Sequence, residues 1–279
     1  MNKGVEGGVN LVPGSVQETM VMCFLDRACY SPLFPSLLED RLAVGIYSQF
    51  QKQLTKRHFR QSEMPALSIL LRARNFDNAV KNYTLAHPDA TVVNLAAGLE
   101  TNFSRVDNGR LTWFDVDLPD AIDFRRQFIP ETARSHTVKG DILDHAWMDR
   151  IEFDPVKGLI LVASGIFCYF TEQQLLELLS AMAEKFPGAQ IIFESYSPPV
   201  ILGNNLFFAL KGIDARLVFG SFNMAQRLRQ RNLKFKLIDQ YAYYSRYPKE
   251  MKVRRDTRFF MWFSNCFKLM EFVHIEFPK

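Results

Sequence analysis

The stretch ATVVNLAAGLETNFSRVDNGRLTWFDVD, residues 90–117, decides the fold of this chain. Its two apolar runs, Thr91–Leu95 and Leu111–Val116, have the length and β-branched content of buried parallel strands. The first run ends in small residues, Ala96 to Gly98, which let a ligand approach the backbone, and the second is followed by Asp117. Ligands of open parallel sheets bind beyond the carboxyl ends of the strands, where an acid about twenty residues after the turn can accept hydrogen bonds from ribose hydroxyls. This spacing predicts a nucleotide-type cofactor site.

The turn after the first strand limits the kind of cofactor. Dinucleotide-binding folds carry three glycines here, whereas this turn has only Gly98, with Ala96 and Ala97 beside it. That pattern argues against a pyrophosphate pressed on the backbone, and therefore against a nicotinamide enzyme. A cofactor without phosphates, S-adenosylmethionine, fits the looser turn better.

Composition indicates a folded globular protein. The 279 residues are 48% hydrophobic, enough for a sizeable core, and the formal net charge is only +4. Basic residues cluster late, at 227–236 and 249–258. A nucleic-acid-binding protein is one alternative that this cluster leaves open, although a solvated face is the simpler interpretation, so we expect no nucleic-acid partner.

Targeting and metal signals are missing from the sequence. The start has no signal-peptide pattern and no run of about twenty apolar residues could span a bilayer, so we expect a cytoplasmic protein with no membrane partner. The four cysteines show neither CxxC spacing nor neighbouring histidines, so we expect no metal. They are Cys23, Cys29, Cys168 and Cys266.

Two regions differ in their pattern. Residues 1–88 look all-helical, and residues 89–279 alternate strands with helices, which implies parallel strands joined by crossovers. We therefore predict an α/β fold with an N-terminal helical lid (1–88) on a Rossmann-like core (89–279). The predicted early helices are Val16–Tyr30, a second from Leu37 or Glu39 to Arg57, and Pro65–Leu85.

The end of the chain distinguishes the type of Rossmann-like sheet. We predict mostly helix over Val200–Asn232, a strand over Lys234–Tyr244, a helix over Arg255–Met270 and a last strand over Glu271–Phe277. Two late strands separated by a helix are typical of the class I methyltransferase sheet, which is mostly parallel and has one antiparallel C-terminal strand.

Several motifs resemble the leucine carboxyl methyltransferase family, including the O-methyltransferases of the tetracenomycin polyketide type. The resemblance covers roughly Arg27 to Gln174, in order and correctly spaced. The segments are RACYSPLFPSLLEDRLAV (27–44), RARNFDNAV (72–80), VVNLAAGLETNFSRV (92–106), WFDVDLPDAI (113–122), GDILD (140–144) and ASGIFCYFTEQQ (163–174).

The resemblance implies roles for particular residues. Arg72 would hold the methionine carboxylate of S-adenosylmethionine, since a guanidinium fork suits a carboxylate. The turn at Ala96 and Gly98 would lie under the methionine part, and Asp117 would bind the ribose. Asp141 and Ile142 would flank the adenine.

Three positions depart from the family pattern, which has glycine at Ala96, a shorter acid at Glu100, and glutamate at Ser164 near the cofactor amine. No catalytic base stands out; Tyr169 could orient an acceptor. Aromatic residues that would suit a flat, apolar acceptor are Phe167, Phe170, Tyr196, Phe207 and Phe208.

The resulting prediction is an S-adenosylmethionine-dependent O-methyltransferase that acts on a carboxylate or hydroxyl of a small molecule, such as a polyketide-like acid. A carboxylate acceptor is ionised at neutral pH and needs no base. The alternatives are a non-catalytic cofactor-binding relic or regulator, suggested by Ser164 and Ala96, and a protein C-terminal carboxyl methyltransferase. The sequence leaves the oligomeric state open.

Overall fold

The computed structural model describes residues 16–54, 62–248 and 250–279. The helices in these ranges are α1 (Val16–Tyr30), α2 (Arg41–Leu54), α3 (Glu63–Ala86), α4 (Asn102–Val106), α5 (Pro119–Arg126), α6 (Glu172–Lys185), α7 (Pro198–Lys211), α8 (Met224–Gln230) and α9 (Arg255–Cys266). The strands are β1 (Thr91–Leu95), β2 (Thr112–Asp117), β3 (Ser135–Lys139), β4 (Leu159–Ala163), β5 (Gln190–Tyr196), β6 (Lys236–Ala242) and β7 (Met270–Glu276).

The seven strands form one sheet in the order β3-β2-β1-β4-β5-β7-β6. Strands β1 to β5 are parallel, and β7 runs antiparallel to both of its neighbours, β5 and β6. This arrangement confirms the predicted class I methyltransferase sheet. No described helix is long and apolar enough to cross a membrane.

Alternate side chains of each central strand enter two different cores, as the two-residue period of a strand requires. On one face, Val93 of β1 packs in a cluster with α6. On the other face, Val92 packs with Leu70 and Phe76 of α3. Helix α3 thus contributes to the sheet core although it lies within the predicted lid, and the division at residue 88 remains a prediction.

Helix α6 begins with a reciprocal pair of hydrogen bonds between Thr171 and Gln174. The Thr171 hydroxyl accepts from the Gln174 amide at 3.2 Å, and the Gln174 side chain accepts from the Thr171 amide at 2.9 Å. This reciprocal pair satisfies two of the N–H groups that a helix leaves without intrahelical partners.

Three predicted element boundaries need correction or lie outside the described residues. The helix predicted to reach Met270 ends at Cys266, because Lys268 adopts φ 48° and Met270 already belongs to β7. Residues 212–223 are not helical, because Gly212 ends α7 at φ 68°. The predicted end of the second helix at Arg57 and the first fifteen residues fall outside the described ranges.

Candidate active site

A cavity of about 660 Å³ opens at the carboxyl ends of β1, β2, β4 and β5. All eight residues that the sequence analysis singled out as candidate site residues line it. They are Arg72, Ala96, Gly98, Asp117, Asp141, Ile142, Ser164 and Tyr169. The structure thus brings together residues from five separate sequence motifs, in a volume typical of small-molecule sites.

The turn after β1 is held in a conformation that favours glycine. Ala96 has φ 52° and Gly98 has φ 47°, and the Ala97 amide donates to the carbonyl of Val116 at 3.2 Å. A Cβ atom on Gly98 would lie 2.7 Å from Cγ of Met20 in α1. Ala96 is an L residue in the left-handed region, which costs roughly 1–2 kcal/mol. A glycine, which the resemblance implies at this position, would avoid that strain.

Asp117, at the end of β2, faces the cavity and the turn. Its Oδ2 accepts from the Gly98 amide at 2.7 Å and its Oδ1 from the Leu118 amide at 2.8 Å. Burial raises the pKa of this carboxyl, and the two backbone hydrogen bonds oppose the rise. Each carboxylate oxygen has a second lone pair, so Asp117 can still accept hydrogen bonds from ligand hydroxyls.

Asp115, two residues earlier, has a structural environment instead. Its carboxylate accepts from Arg125 Nη2 at 2.6 Å and from the side chains of Asn94 and Trp113 at 2.8 Å each. Asp115 is 1% exposed. Asp117 is therefore the acid of this strand that can reach a ligand.

Arg72 projects from α3 to the end of β4. It is 9% exposed, and its Nη2 donates to the Sγ of Cys23 at 3.4 Å. Its Nη1 lies 3.6 Å from Oε1 of Glu194, and a Cβ atom on Gly165 would meet that nitrogen at 2.7 Å. Among the described residues, no oxygen lies within hydrogen-bond distance of this guanidinium, so the fork can bind a carboxylate.

Asp141 and Ile142 form the side of the cavity below β3. Oδ1 of Asp141 accepts from the amide of Leu143 at 2.9 Å and so caps a 3₁₀ helix, Ile142–Asp144. Ile142 is 5% exposed and belongs to the sheet core. One polar and one apolar residue therefore stand next to each other, as the resemblance implies for the adenine.

Many of the residues that line the cavity are aromatic or aliphatic. Tyr196, Phe170, Phe207 and Phe208 line the cavity, whereas Phe167 is a core residue whose ring centroid lies 5.1 Å from that of Phe193. The further apolar and aromatic lining residues include Met64, Ile69, Leu217, Tyr243, Tyr244, Phe260 and Met270. Hydroxyl groups there include those of Ser68 and Tyr244, which are 2.7 Å apart.

Sequence reasoning missed two parts of the site. The first is Glu194, a buried carboxylate on β5 next to Arg72. The second is a charge network under the β1 turn, in which Arg27 pairs with Asp40 and Glu100. The sequence did contain a signal for both parts, because each includes acidic residues inside an otherwise apolar or helical segment. A charge at the end of a buried strand needs a partner or a ligand.

The described residues contain no group of three or more His, Cys, Asp or Glu side chains placed to hold a metal ion. The late basic residues are partly neutralised within the fold. Arg227 and Arg231 both bind Glu172, and Arg254 pairs with Asp256.

Residues 21–183 match the family model described as leucine carboxyl methyltransferase. Among curated relatives, the tetracenomycin polyketide synthesis O-methyltransferase TcmP of Streptomyces glaucescens is 28% identical over 184 residues, covering 66% of this chain and 67% of TcmP. The S-adenosyl-L-methionine-dependent methyltransferase dpfgK of Gibberella zeae is 25% identical over 183 residues, covering 61% of each chain. These alignments span between three fifths and two thirds of the relatives' length.

Solved structures show the same fold at low sequence identity. A protein from Thermobifida fusca described as a methyltransferase has a TM-score of 0.57 at 11% identity and covers 91% of this chain and 94% of its own. A DUF574 family protein from Streptomyces avermitilis has a TM-score of 0.53 at 12% identity, with 91% and 97% covered. These solved structures show the fold alone, whereas the match to the family model over residues 21–183 shows that the chain belongs to the leucine carboxyl methyltransferase family and is an S-adenosylmethionine-dependent methyltransferase.

Proposed function

We propose that this protein transfers the methyl group of S-adenosylmethionine to an oxygen of a small, largely apolar acceptor, either a carboxylate or a hydroxyl. The observation that carries the proposal is the mixed lining of one cavity. The predicted cofactor residues share this lining with many aromatic and aliphatic side chains.

The chemistry of the predicted cofactor residues fits S-adenosylmethionine. Arg72 is buried with open donors for the methionine carboxylate, and Asp117 lies at the end of β2 for the ribose hydroxyls. The pair Asp141 and Ile142 offers a polar and an apolar contact for the adenine. These four assignments are part of the proposal, and the left-handed turn at Gly98 would lie under the methionine part of the cofactor.

The cofactor supplies an electrophilic methyl group, and the protein supplies position. An in-line displacement needs the acceptor oxygen about 3–3.5 Å from the methyl carbon in a defined orientation. No histidine lines the cavity among the described residues. A carboxylate acceptor, with a pKa of about 4, is already ionised and needs no base, whereas a hydroxyl acceptor must lose a proton. A carboxylate is therefore the acceptor that requires the least from these lining residues.

The test is methyl transfer from labelled S-adenosylmethionine to a library of aromatic acids, phenols and peptides that end in leucine. We expect labelled product from an aromatic small molecule, and alkaline hydrolysis distinguishes a methyl ester from a stable methyl ether. Cofactor binding with no transfer to any library member would contradict the proposal. It would favour the non-catalytic cofactor-binding protein suggested by Ser164.

Two variants of α7 locate the acceptor. Asn204 lines the cavity, whereas Leu202 on the same helix is 72% exposed and does not. We expect Asn204→Trp to lower transfer at least about tenfold, because misplacing an acceptor is costly, while cofactor affinity changes little. Leu202→Trp is the matched control and should retain activity. Equal activity of the two variants would show that the acceptor binds elsewhere.

A further inference from the structure

The amino-acid end of S-adenosylmethionine is a zwitterion, so its binding site must satisfy a carboxylate and an ammonium group. Arg72 supplies the cation, but Ser164, at the end of β4, is uncharged. A buried ammonium group without an anionic or hydrogen-bonding partner would weaken binding considerably. An anionic residue near Arg72 is therefore a candidate partner of the ammonium group.

The neighbouring strand places a carboxylate beside Ser164. Ala163 of β4 pairs with Phe193 of β5 in parallel register. The next residues on the two strands, Ser164 and Glu194, therefore stand side by side, and in-register neighbours of a parallel pair point to the same face. The carboxylate of Glu194 therefore lies one strand away from the place that a glutamate at position 164 would give its carboxylate.

Glu194 contacts residues that line the cavity. Its Oε1 accepts from the Gly165 amide at 2.5 Å and from the Tyr196 hydroxyl at 3.2 Å, and both of these residues line the cavity. The same oxygen lies 3.6 Å from Nη1 of Arg72. This separation is longer than a hydrogen bond, so the pair is close without being fully joined.

The second oxygen of Glu194 lacks a partner. Glu194 is 5% exposed and lies behind the residues that line the cavity, and its fully buried Oε2 has no hydrogen bond to any described residue. Leaving a buried carboxylate oxygen unsatisfied is costly, and such atoms usually mark a ligand, an ion or a water. An ammonium group has three donors and would satisfy it.

We propose that Glu194 binds the ammonium group of the cofactor while Arg72 binds its carboxylate, so that one buried ion pair recognises both charges of the amino-acid end. The inference rests on the proposed function, because it assigns a residue to the same cofactor site. It also explains how the site tolerates serine at position 164.

A purely structural role for Glu194 gives a different expectation. The carboxylate would then only hold the turn at Gly165 and orient Arg72, and its loss would weaken every ligand of the site alike. The two roles are separated by asking whether the contribution of Glu194 depends on the ligand's amino group.

The experiment is calorimetric titration with S-adenosylhomocysteine and with its desamino analogue, which lacks only the ammonium group. We expect the wild-type protein to prefer S-adenosylhomocysteine at least about tenfold, as for a buried charge-assisted contact. In Glu194→Gln, which keeps an acceptor for Gly165, the preference should fall to about twofold or less. Adding Ser164→Glu to this variant should restore it, because the charge returns one strand away.

Three results would overturn the inference. One is a wild-type protein that binds both ligands equally, which needs no variant and so does not depend on the folding of Glu194→Gln. Another is a Glu194→Gln protein that keeps the wild-type preference, and the third is a failure of Ser164→Glu to restore it. A wild-type protein that binds neither ligand would instead contradict the proposed function itself.

Discussion

The amide of Gly98 donates a hydrogen bond of 2.7 Å to the carboxylate of Asp117, which joins the turn after β1 to the end of β2. Nineteen residues separate the two in sequence. The bond fixes the floor of the cavity, because it holds the left-handed turn against the acid proposed to bind the ribose.

Substitution of Gly98 should damage this floor. Gly98→Ala introduces a Cβ atom 2.7 Å from Met20 Cγ at a position with φ 47°. Gly109→Ala is the matched control, since Gly109 has φ 81° but nothing within 4 Å of the added atom. Both variants carry a left-handed strain of roughly 1–2 kcal/mol. Thermal unfolding should show a greater loss for Gly98→Ala, and only this variant should lose cofactor affinity. Equal effects would mean that the contact with α1 is unimportant.

The charge network beneath the turn should be a major source of stability. Arg105 binds Asp77 at 2.6 Å and Asp40 at 2.8 Å, and both acids are at least 96% buried. Burial raises the pKa of Asp40, but the neighbouring Arg105 and Arg27 outweigh this effect and hold the pKa below its ordinary value. Arg105→Ala removes the arginine that pairs with Asp77 and one of the two arginines that pair with Asp40. Breaking a buried ion pair typically costs about 3–5 kcal/mol.

Denaturant unfolding measures this loss. Arg110→Ala is the control, because Arg110 forms an exposed ion pair with Asp89 and exposed pairs contribute little. A free energy of unfolding that changes as little in Arg105→Ala as in Arg110→Ala would contradict the importance of the network.

Stability should depend on pH through Asp26. Burial raises the pKa of this carboxyl from 3.8 to about 7, against the opposing effect of Arg27 and Arg72. An acid whose pKa is higher in the folded than in the unfolded state reduces stability as the pH rises between the two values, here from 3.8 to about 7. Asp26→Asn removes this titration, so its stability relative to the wild type should increase from pH 5 to pH 8. Thermal unfolding measures this difference. If the stability of Asp26→Asn relative to the wild type is the same at pH 5 and pH 8, the assignment is refuted.

The sequence predicted the sheet and much of the site because both depend on local patterns. The run Thr91–Leu95 is buried on both faces and, apart from Asn94, consists of β-branched and aliphatic residues, which makes it readable as a strand. The residues that line the cavity follow the strand ends, where parallel sheets bring them together. The roles assigned to Arg72 and Asp141 came from the family resemblance, and they remain predictions.

Other features required the three-dimensional structure. Glu194 was unremarkable in sequence, because only the β4–β5 register shows that it stands beside Ser164. The end of α9 was misjudged because its aromatic residues continue smoothly into β7, and the left-handed turn at Lys268 has no glycine to announce it. The helical region after Val200 was predicted too continuously, although Gly212 was an available stop signal.

Calorimetric titration of S-adenosylmethionine into the wild-type protein, Arg72→Ala and Asp117→Ala tests the central claim most directly, with Asp89→Ala as a surface control. Micromolar-range binding is expected in the wild type and the control, with a loss of at least about tenfold in both cavity variants, as for removal of hydrogen bonds to charged groups. Absence of binding to the wild type, or wild-type affinity in both cavity variants, would contradict the placement of the cofactor in this cavity.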